Sequence, residues 1–336
     1  MNTHTGVSLG ILSAAHPHAE SYASALTTDS DIEFVGVADE NEQRGRELAE
    51  RHGAECRTPE NLLDAAAGVV VCSENATHRE RIERAATMGV DVLCEKPLAT
   101  GYDIARETIE ICENADIRLG VAMPLRFSDP VRRAERALEA GDVGTVHAIT
   151  GTNRGQMPGG WFVERERSGG GAITDHTPHI VDLVHHLTGE RVTEVYAESA
   201  TRFHDLAVED VNLLSMELDD GTQLTLDGSW SRPDEWPTWG GATLELLGTE
   251  GVLSVDCFDQ TLQYVGSAEG DVRWPFWGTD PDAALLADFA ATVREDRPPA
   301  TTGREGAAVV AVIDAAYRSV ERNEPVAVDY APSETP

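Results

Sequence analysis

Lys96 is the only lysine in a chain whose 26 basic residues are otherwise all arginine. An ammonium is a compact point charge that can hand over a proton, which a guanidinium does not do. A chain that keeps a single lysine therefore points to chemistry at that position. The triplet Glu95-Lys96-Pro97 follows a short apolar run bounded by Gly89 and Pro97. That run reads as a buried parallel strand with the lysine at its carboxyl end, where open α/β sheets bind ligands. A chance lysine in a turn is the plain alternative. A second group is Gly169-Gly170-Gly171 followed by Asp175, His176, His179, Asp182 and His186. Three glycines let a backbone pass close to a ligand or another chain. On a helix Asp175, His179, Asp182 and His186 fall on one face, at i, i+4, i+7 and i+11. Such faces are commonly just solvated, but elsewhere this chain's polar surface is glutamate and arginine, whereas histidine titrates near neutrality and serves as acid or base. Histidine with carboxylate can also ligate a metal; with no third ligand set and no cysteine partner, no metal site is expected.

A third group could hold a dinucleotide. In Gly10-Ile11-Leu12-Ser13-Ala14-Ala15 only Gly10 and the small Ala15 match a fingerprint that asks for glycine at the first, third and sixth places. Leu12 stands for the glycine that lets the backbone approach the diphosphate. Asp39 ends the next expected strand and can accept hydrogen bonds from ribose hydroxyls; its charge opposes a 2′-phosphate, which favours NAD, while Arg44 and Arg46 keep NADP open. Gly10, Leu12, Ser13, Ala15 and Asp39 are thus candidate cofactor contacts, joined by Ser73, Asn75, His78, Glu95 and Lys96 after the two central strands. Capping of a helix is the default role of an Asn such as Asn75. All six tryptophans follow residue 150, and flat aromatic faces suit sugar rings. Trp161, beside the glycines, is the best ligand contact among them; a sheet core or a subunit interface would account equally well for the rest.

Behind these residues lie two patterns. Over residues 1–122 strands alternate with helices: strands at 7–12, 32–38, 54–57, 68–72, the Lys96 strand and 117–122, with helices between. This is the signature of parallel βαβ units and predicts an α/β, doubly wound Rossmann domain. Over 123–330 strands follow strands, at 146–153, 192–203, 208–218, 222–231, 242–248, 251–257 and 261–265, with period-2 alternation in Leu213–Leu218. One helix at about 172–187 interrupts them and two, at about 281–295 and 304–322, close the chain. The prediction is a second α+β domain on a large, open, mostly antiparallel sheet with one solvated face, with 331–336 as a tail.

Composition narrows the function. A formal charge of −33, from 59 acidic residues against 26 basic, repels phosphate backbones and anionic membranes and so excludes nucleic-acid and membrane-surface binding. The acid is dispersed and 41% of residues are hydrophobic, which is not the composition of a disordered chain. Dispersed acid with one lysine fits a halophilic, salt-rich cytoplasm in which screening suppresses self-repulsion. Five cysteines without a C-x-x-C pair give neither a disulfide framework nor a zinc site. No basic leader and no apolar run of about 18 residues is present, so a soluble cytoplasmic protein is expected.

Taken in order, these motifs resemble the Gfo/Idh/MocA family, that of glucose–fructose oxidoreductase and inositol dehydrogenase, over essentially the whole chain. Glu95-Lys96-Pro97 and the glycine segment with Asp175 and His179 four apart carry most of the resemblance. It implies an NAD(P)-dependent oxidoreductase that moves a hydride between a nicotinamide and a secondary carbinol of a sugar or polyol, in dimers or tetramers formed through the open sheet. It implies Lys96, Asp175 and His179 as the catalytic set, substrate contacts at Lys96, Arg126, Trp161, Asp175, His176 and His179, and a cis Lys96-Pro97 bond. The same resemblance includes glycosidases that use held NAD as a transient redox aid, and a sugar sensor on this fold is the further alternative, against which the intact catalytic set argues. Leu12 and Glu74 depart from the family pattern, at the diphosphate turn and the nicotinamide-side loop.

Overall fold

The computed structural model describes residues 6–236, 238–259, 264–265, 272–273 and 277–330. It divides into two units, one of Met1–Pro124 with Pro281–Val310, the other of Leu125–Asp280 with Ala311–Pro336. In chain order the elements are β1 (Val7–Leu12), α1 (Ala19–Thr28), β2 (Ile32–Ala38), α2 (Glu42–Arg51), β3 (Cys56–Arg57), α3 (Pro59–Ala65), β4 (Gly68–Val71), α4 (His78–Thr87), β5 (Asp91–Cys94), α5 (Tyr102–Asn114) and β6 (Leu119–Val121). There follow α6 (Asp129–Glu139), β7 (Val146–Gly155), α7 (Arg165–Ser168), α8 (Ala172–Thr188), β8 (Val192–Ala200), β9 (Val211–Leu218), β10 (Gln223–Asp227), β11 (Gly240–Gly248) and β12 (Val252–Asp256). The chain ends with β13 (Tyr264–Val265), β14 (Val272–Arg273), α9 (Pro281–Glu295), α10 (Gly303–Arg322) and β15 (Val326–Ala327).

The first unit is a parallel sheet in the order β3-β2-β1-β4-β5-β6. Every residue of β4 (Gly-Val-Val-Val) and β5 (Asp-Val-Leu-Cys) is buried, as a parallel sheet covered on both faces requires. Thr58 caps α3 with Pro59 at its first position, the arrangement that fixes φ where an N–H has no partner anyway. The chain does not divide at one point near residue 122, because α9 and the start of α10 return to this unit. Gly68 makes room for Phe289 and Val293 of α9, and Gly306 of α10 for Val121, where an added Cβ would lie 2.5 Å from the valine side chain.

The second unit is a seven-stranded sheet, β12-β11-β7-β10-β9-β8-β15. Only β7 and β10 run parallel; all other neighbours are antiparallel. One face packs on α8, with Ile180 seated over Gly151 of β7. The other carries Leu213, Leu247 and Val252 exposed, in keeping with the expected open face. β15 is an additional edge strand pairing with β8. The strand expected over 261–265 lies mostly outside the described residues, as do Trp274 and residues 331–336. No helix among the described residues is long and apolar enough to cross a membrane.

Candidate active site

In the first unit the predicted residues gather at the carboxyl ends of β1, β4 and β5. Glu95 is fully buried and Lys96 is 3% exposed, followed by a cis Lys96–Pro97 bond. The Lys96 N–H donates to Glu95 Oε2 at 3.1 Å. His18 Nδ1 stands 2.9 Å from Glu95 Oε1. Burial pushes the Glu95 carboxyl up, but His16 and His18 beside it prevail and hold it well below the usual carboxylate range. His78 is buried with Nδ1 3.0 Å from the Pro97 carbonyl and Nε2 3.3 Å from that of Ser73. Burial lowers its pKa, and the ring lies between the loops after β4 and β5, where each N–H it carries has a carbonyl to donate to. Both ring nitrogens of the cofactor candidate His78 thus face carbonyls of these loops. Ser73 and Asn75 lie buried in the same loop.

The dinucleotide turn starts three residues later than the fingerprint spacing put it. Gly10 and Leu12 lie within β1, paired with Gly36 and Ala38. Gly10 is there for packing, since a Cβ would meet Leu62 at 2.6 Å, and Leu12 is core at 1% exposure. The turn proper is Ser13-Ala14-Ala15-His16, which holds no glycine, and Ser13 takes the left-handed φ of 71°. Its N–H donates to the Ala38 carbonyl at 2.7 Å, and the Ala14 N–H to Asp39 Oδ2 at 2.6 Å. Asp39 is gripped by Arg44 fork-on, Nε to Oδ2 at 2.9 Å and Nη2 to Oδ1 at 2.8 Å, whereas Arg46 turns away to Glu42. A turn leading into the N-terminus of α1, with a carboxylate at the end of β2, fits a dinucleotide: the amino end of α1 for the diphosphate and Asp39 for ribose hydroxyls.

In the second unit α8 carries the remaining residues. Asp175 is buried, and the indole N–H of Trp230 donates to its Oδ2 at 3.1 Å. His176 Nε2 lies 3.4 Å from the same oxygen, while its Nδ1 faces the Gly228 carbonyl at 3.0 Å. A carbonyl only accepts, so Nδ1 carries the hydrogen. His176, expected as a substrate contact, backs Asp175 from the core side and is 1% exposed. His179, one turn beyond Asp175, is half-buried. The rest of the expected face is a seam of ion pairs. Asp182 takes Arg126 bidentately, at 2.8 and 2.6 Å, and His186 lies 3.3 Å from Glu135. Trp161 is buried and stacked on Phe162 with centroids 3.9 Å apart.

The glycines before α8 admit the protein's own groups. A Cβ on Gly170 would fall 1.8 Å from the Tyr317 hydroxyl, and one on Gly171 2.1 Å from the Glu209 carbonyl. Glu209 accepts the N–H groups of Gly171 and Ile173 at 3.0 and 3.1 Å and the Tyr317 hydroxyl at 2.7 Å. Glu209, Tyr317, Trp230 and the His16–His18 pair are what sequence reasoning missed. Only the last left a local mark, histidines on either side of Pro17. A cavity of about 310 Å³ bounded by α6, β12 and Trp277 contains none of the predicted residues.

Comparison with known proteins places this geometry. A family model described as "Oxidoreductase family, NAD-binding Rossmann fold" matches residues 10–123, and one described as "GFO/IDH/MocA C-terminal domain" matches 131–254. The chain belongs to the Gfo/Idh/MocA oxidoreductases. Among similar members of that family, inositol 2-dehydrogenase of Rhizobium meliloti is 26% identical over 91% of this chain and 95% of its own. D-xylose 1-dehydrogenase (NADP(+)) 2 of Haloferax volcanii is 26% identical over 95% of this chain and 99% of its own. The crystal structure of GenD2 from gentamicin A biosynthesis, in complex with NAD, is 25% identical with a TM-score of 0.86, covering 98% of this chain and 99% of that one. As a Gfo/Idh/MocA oxidoreductase the chain uses NAD, through the Rossmann unit just described.

Proposed function

We propose that this chain is a dehydrogenase that oxidises a secondary carbinol of a sugar, polyol or sugar derivative. The observation that carries the reading is Lys96, the one lysine of the chain, buried at the carboxyl end of a central strand of an NAD-binding Rossmann unit. The names of the relatives support the substrate class, since they include inositol, D-apiose and D-xylose dehydrogenases. Bound NAD supplies the hydride acceptor. His179 takes the hydroxyl proton as general base, a task suited to a group that titrates near the working pH. Lys96 holds the reacting oxygen and lowers the cost of its alkoxide character. Asp175, its Oδ2 fixed by Trp230, accepts hydrogen bonds from substrate hydroxyls and sets the ring's orientation. Arg126, anchored on Asp182, and Trp161, with its flat face, complete the substrate contacts. Ser13, Ala15, Asp39, Ser73, Asn75, Glu95 and Lys96 form the cofactor side.

We further infer a homodimer or homotetramer closed through the open sheet face, which exposes Leu213, Leu247 and Val252, and a working environment of salt-rich cytoplasm. The deciding experiment is NADH formation, followed at 340 nm in molar KCl, across pentoses, hexoses, inositols and sugar acids, with wild type and Lys96→Met. Turnover is expected on at least one class, and Lys96→Met should lose roughly a hundredfold or more while still binding NAD. Near-normal turnover in that variant would overturn the assignment.

A further inference from the structure

We propose that His16, His18 and Glu95 bind one divalent transition-metal cation of the zinc or cobalt type, at the junction of the β1–α1 turn with the end of β5. The three side chains each offer a ligand atom, and these atoms all lie within 4.8 Å of one another. His18 Nδ1 is 2.9 Å and His16 Nδ1 3.7 Å from the same oxygen, Glu95 Oε1. Ligand atoms about 2.1 Å from a tetrahedral ion stand roughly 3.4 Å apart, so the two separations bracket the value an ion would impose. Two imidazoles and one carboxylate form a donor set that zinc and its neighbours favour over magnesium or calcium.

The turn holds both imidazoles against the carboxylate. The backbone N–H of His18 donates to His16 Nδ1 at 3.2 Å; that nitrogen has one electron pair, which a bound ion would take over from this hydrogen bond. The same nitrogen faces a carboxylate oxygen at 3.7 Å, with both side chains almost wholly withdrawn from water. A cation between this nitrogen and the carboxylate oxygen would be attracted by both, strongly so in a poorly solvated site. Pro17, between the two histidines, limits the freedom of the turn that presents them. The His18 imidazole edge is reachable, because its side chain is 31% exposed, and this leaves a path for the ion and a fourth position for an oxygen donor. None of the three is assigned to proton transfer in the proposed reaction, and the ion's role is to clasp the cofactor turn to the strand end that bears Lys96.

The full-length protein, stripped with chelator and returned to metal-free molar KCl, is titrated with Zn²⁺ by calorimetry and with Co²⁺ by visible absorption. One equivalent per chain is expected, with a tetrahedral Co²⁺ spectrum. His18→Gln and Glu95→Gln should each weaken binding at least tenfold, and His147→Gln, an exposed histidine of β7, should leave it unchanged. Absence of saturable binding below about 100 μM in the wild type, or binding undiminished in His18→Gln, overturns the proposal. Should Glu95→Gln fail to fold, the wild-type cobalt spectrum and the partly exposed His18 still decide. Heat and absorption are read without turnover, so the outcome is independent of the dehydrogenase reading.

Discussion

Removing the Glu209 carboxylate should loosen the start of α8 and with it the setting of Asp175. The carboxylate accepts two backbone N–H groups and one phenol hydroxyl at 2.7–3.1 Å, and lies at the amino end of a 17-residue helix. Hydrogen bonds to a charged acceptor contribute about 1.5–3 kcal/mol each, and a negative charge at a partly buried helix N-terminus up to about 2 kcal/mol. These terms overlap and water replaces part of them, so Glu209→Ala should cost about 3–5 kcal/mol, the range for breaking a buried charged network. Glu209→Gln keeps an oxygen for the two N–H groups and should cost about 1–2 kcal/mol. Asp175 is one helical turn from Gly171, whose carbonyl accepts its N–H at 3.1 Å. A shift of about 1 Å there would lower kcat roughly a hundredfold, with the KM for NAD little changed. Urea unfolding followed by circular dichroism, and initial rates on the best substrate, measure the two effects. A Glu209→Ala variant within about 1 kcal/mol of wild type would refute the reasoning; one destabilised as expected but with unaltered kcat would refute its link to Asp175.

Three further outcomes are expected. Ser13→Gly should leave stability equal or raise it by up to about 1 kcal/mol, since a non-glycine residue at left-handed φ costs about 1–2 kcal/mol and glycine returns part of that through unfolded-state entropy; a clear fall in the urea midpoint contradicts this. Asp210→Ala should cost about 3 kcal/mol, because that buried carboxylate accepts the N–H groups of Arg202, Phe203 and His204 and the His204 ring, and Asn should recover part of it. Glu190, sharing a proton with Asp219, is raised to about 7. A carboxyl raised in the folded state contributes stability that is full below its unfolded value and is lost as pH rises to about 7, so melting temperature should fall from about pH 5 to about pH 7 and level off above. Glu190→Gln should flatten that slope, and an unchanged slope would show the pair to be uncoupled.

The two architectures were legible because they rest on local periodicity. Val69–Val71 and Val92–Leu93 could only be a strand buried on both faces, and the alternation in Leu213–Leu218 only a strand with one wet side. What escaped depends on partners remote in sequence. Glu209 and Tyr317 are 108 residues apart, and nothing near either announces the other. The return of α9 to the first unit likewise follows from the fit of Phe289 over Gly68, which no window of sequence contains. The turn lies elsewhere for a local reason: Gly10 has the spacing of a phosphate loop's first glycine, but the apolar Ile11 and Leu12 after it carry the strand onward. The signal at Lys96 is one of residue type rather than of spacing.

That residue has a practical consequence. With arginine everywhere else, a reagent that seeks primary amines finds, apart from the α-amino group, a single nitrogen among 336 residues, and that nitrogen is buried. Reductive methylation with carbon-13 formaldehyde would therefore give one lysine resonance, free of overlap. The rate at which the label arrives would time the opening of the Glu95–Pro97 loop in the intact protein, with no mutation needed to isolate the reporter.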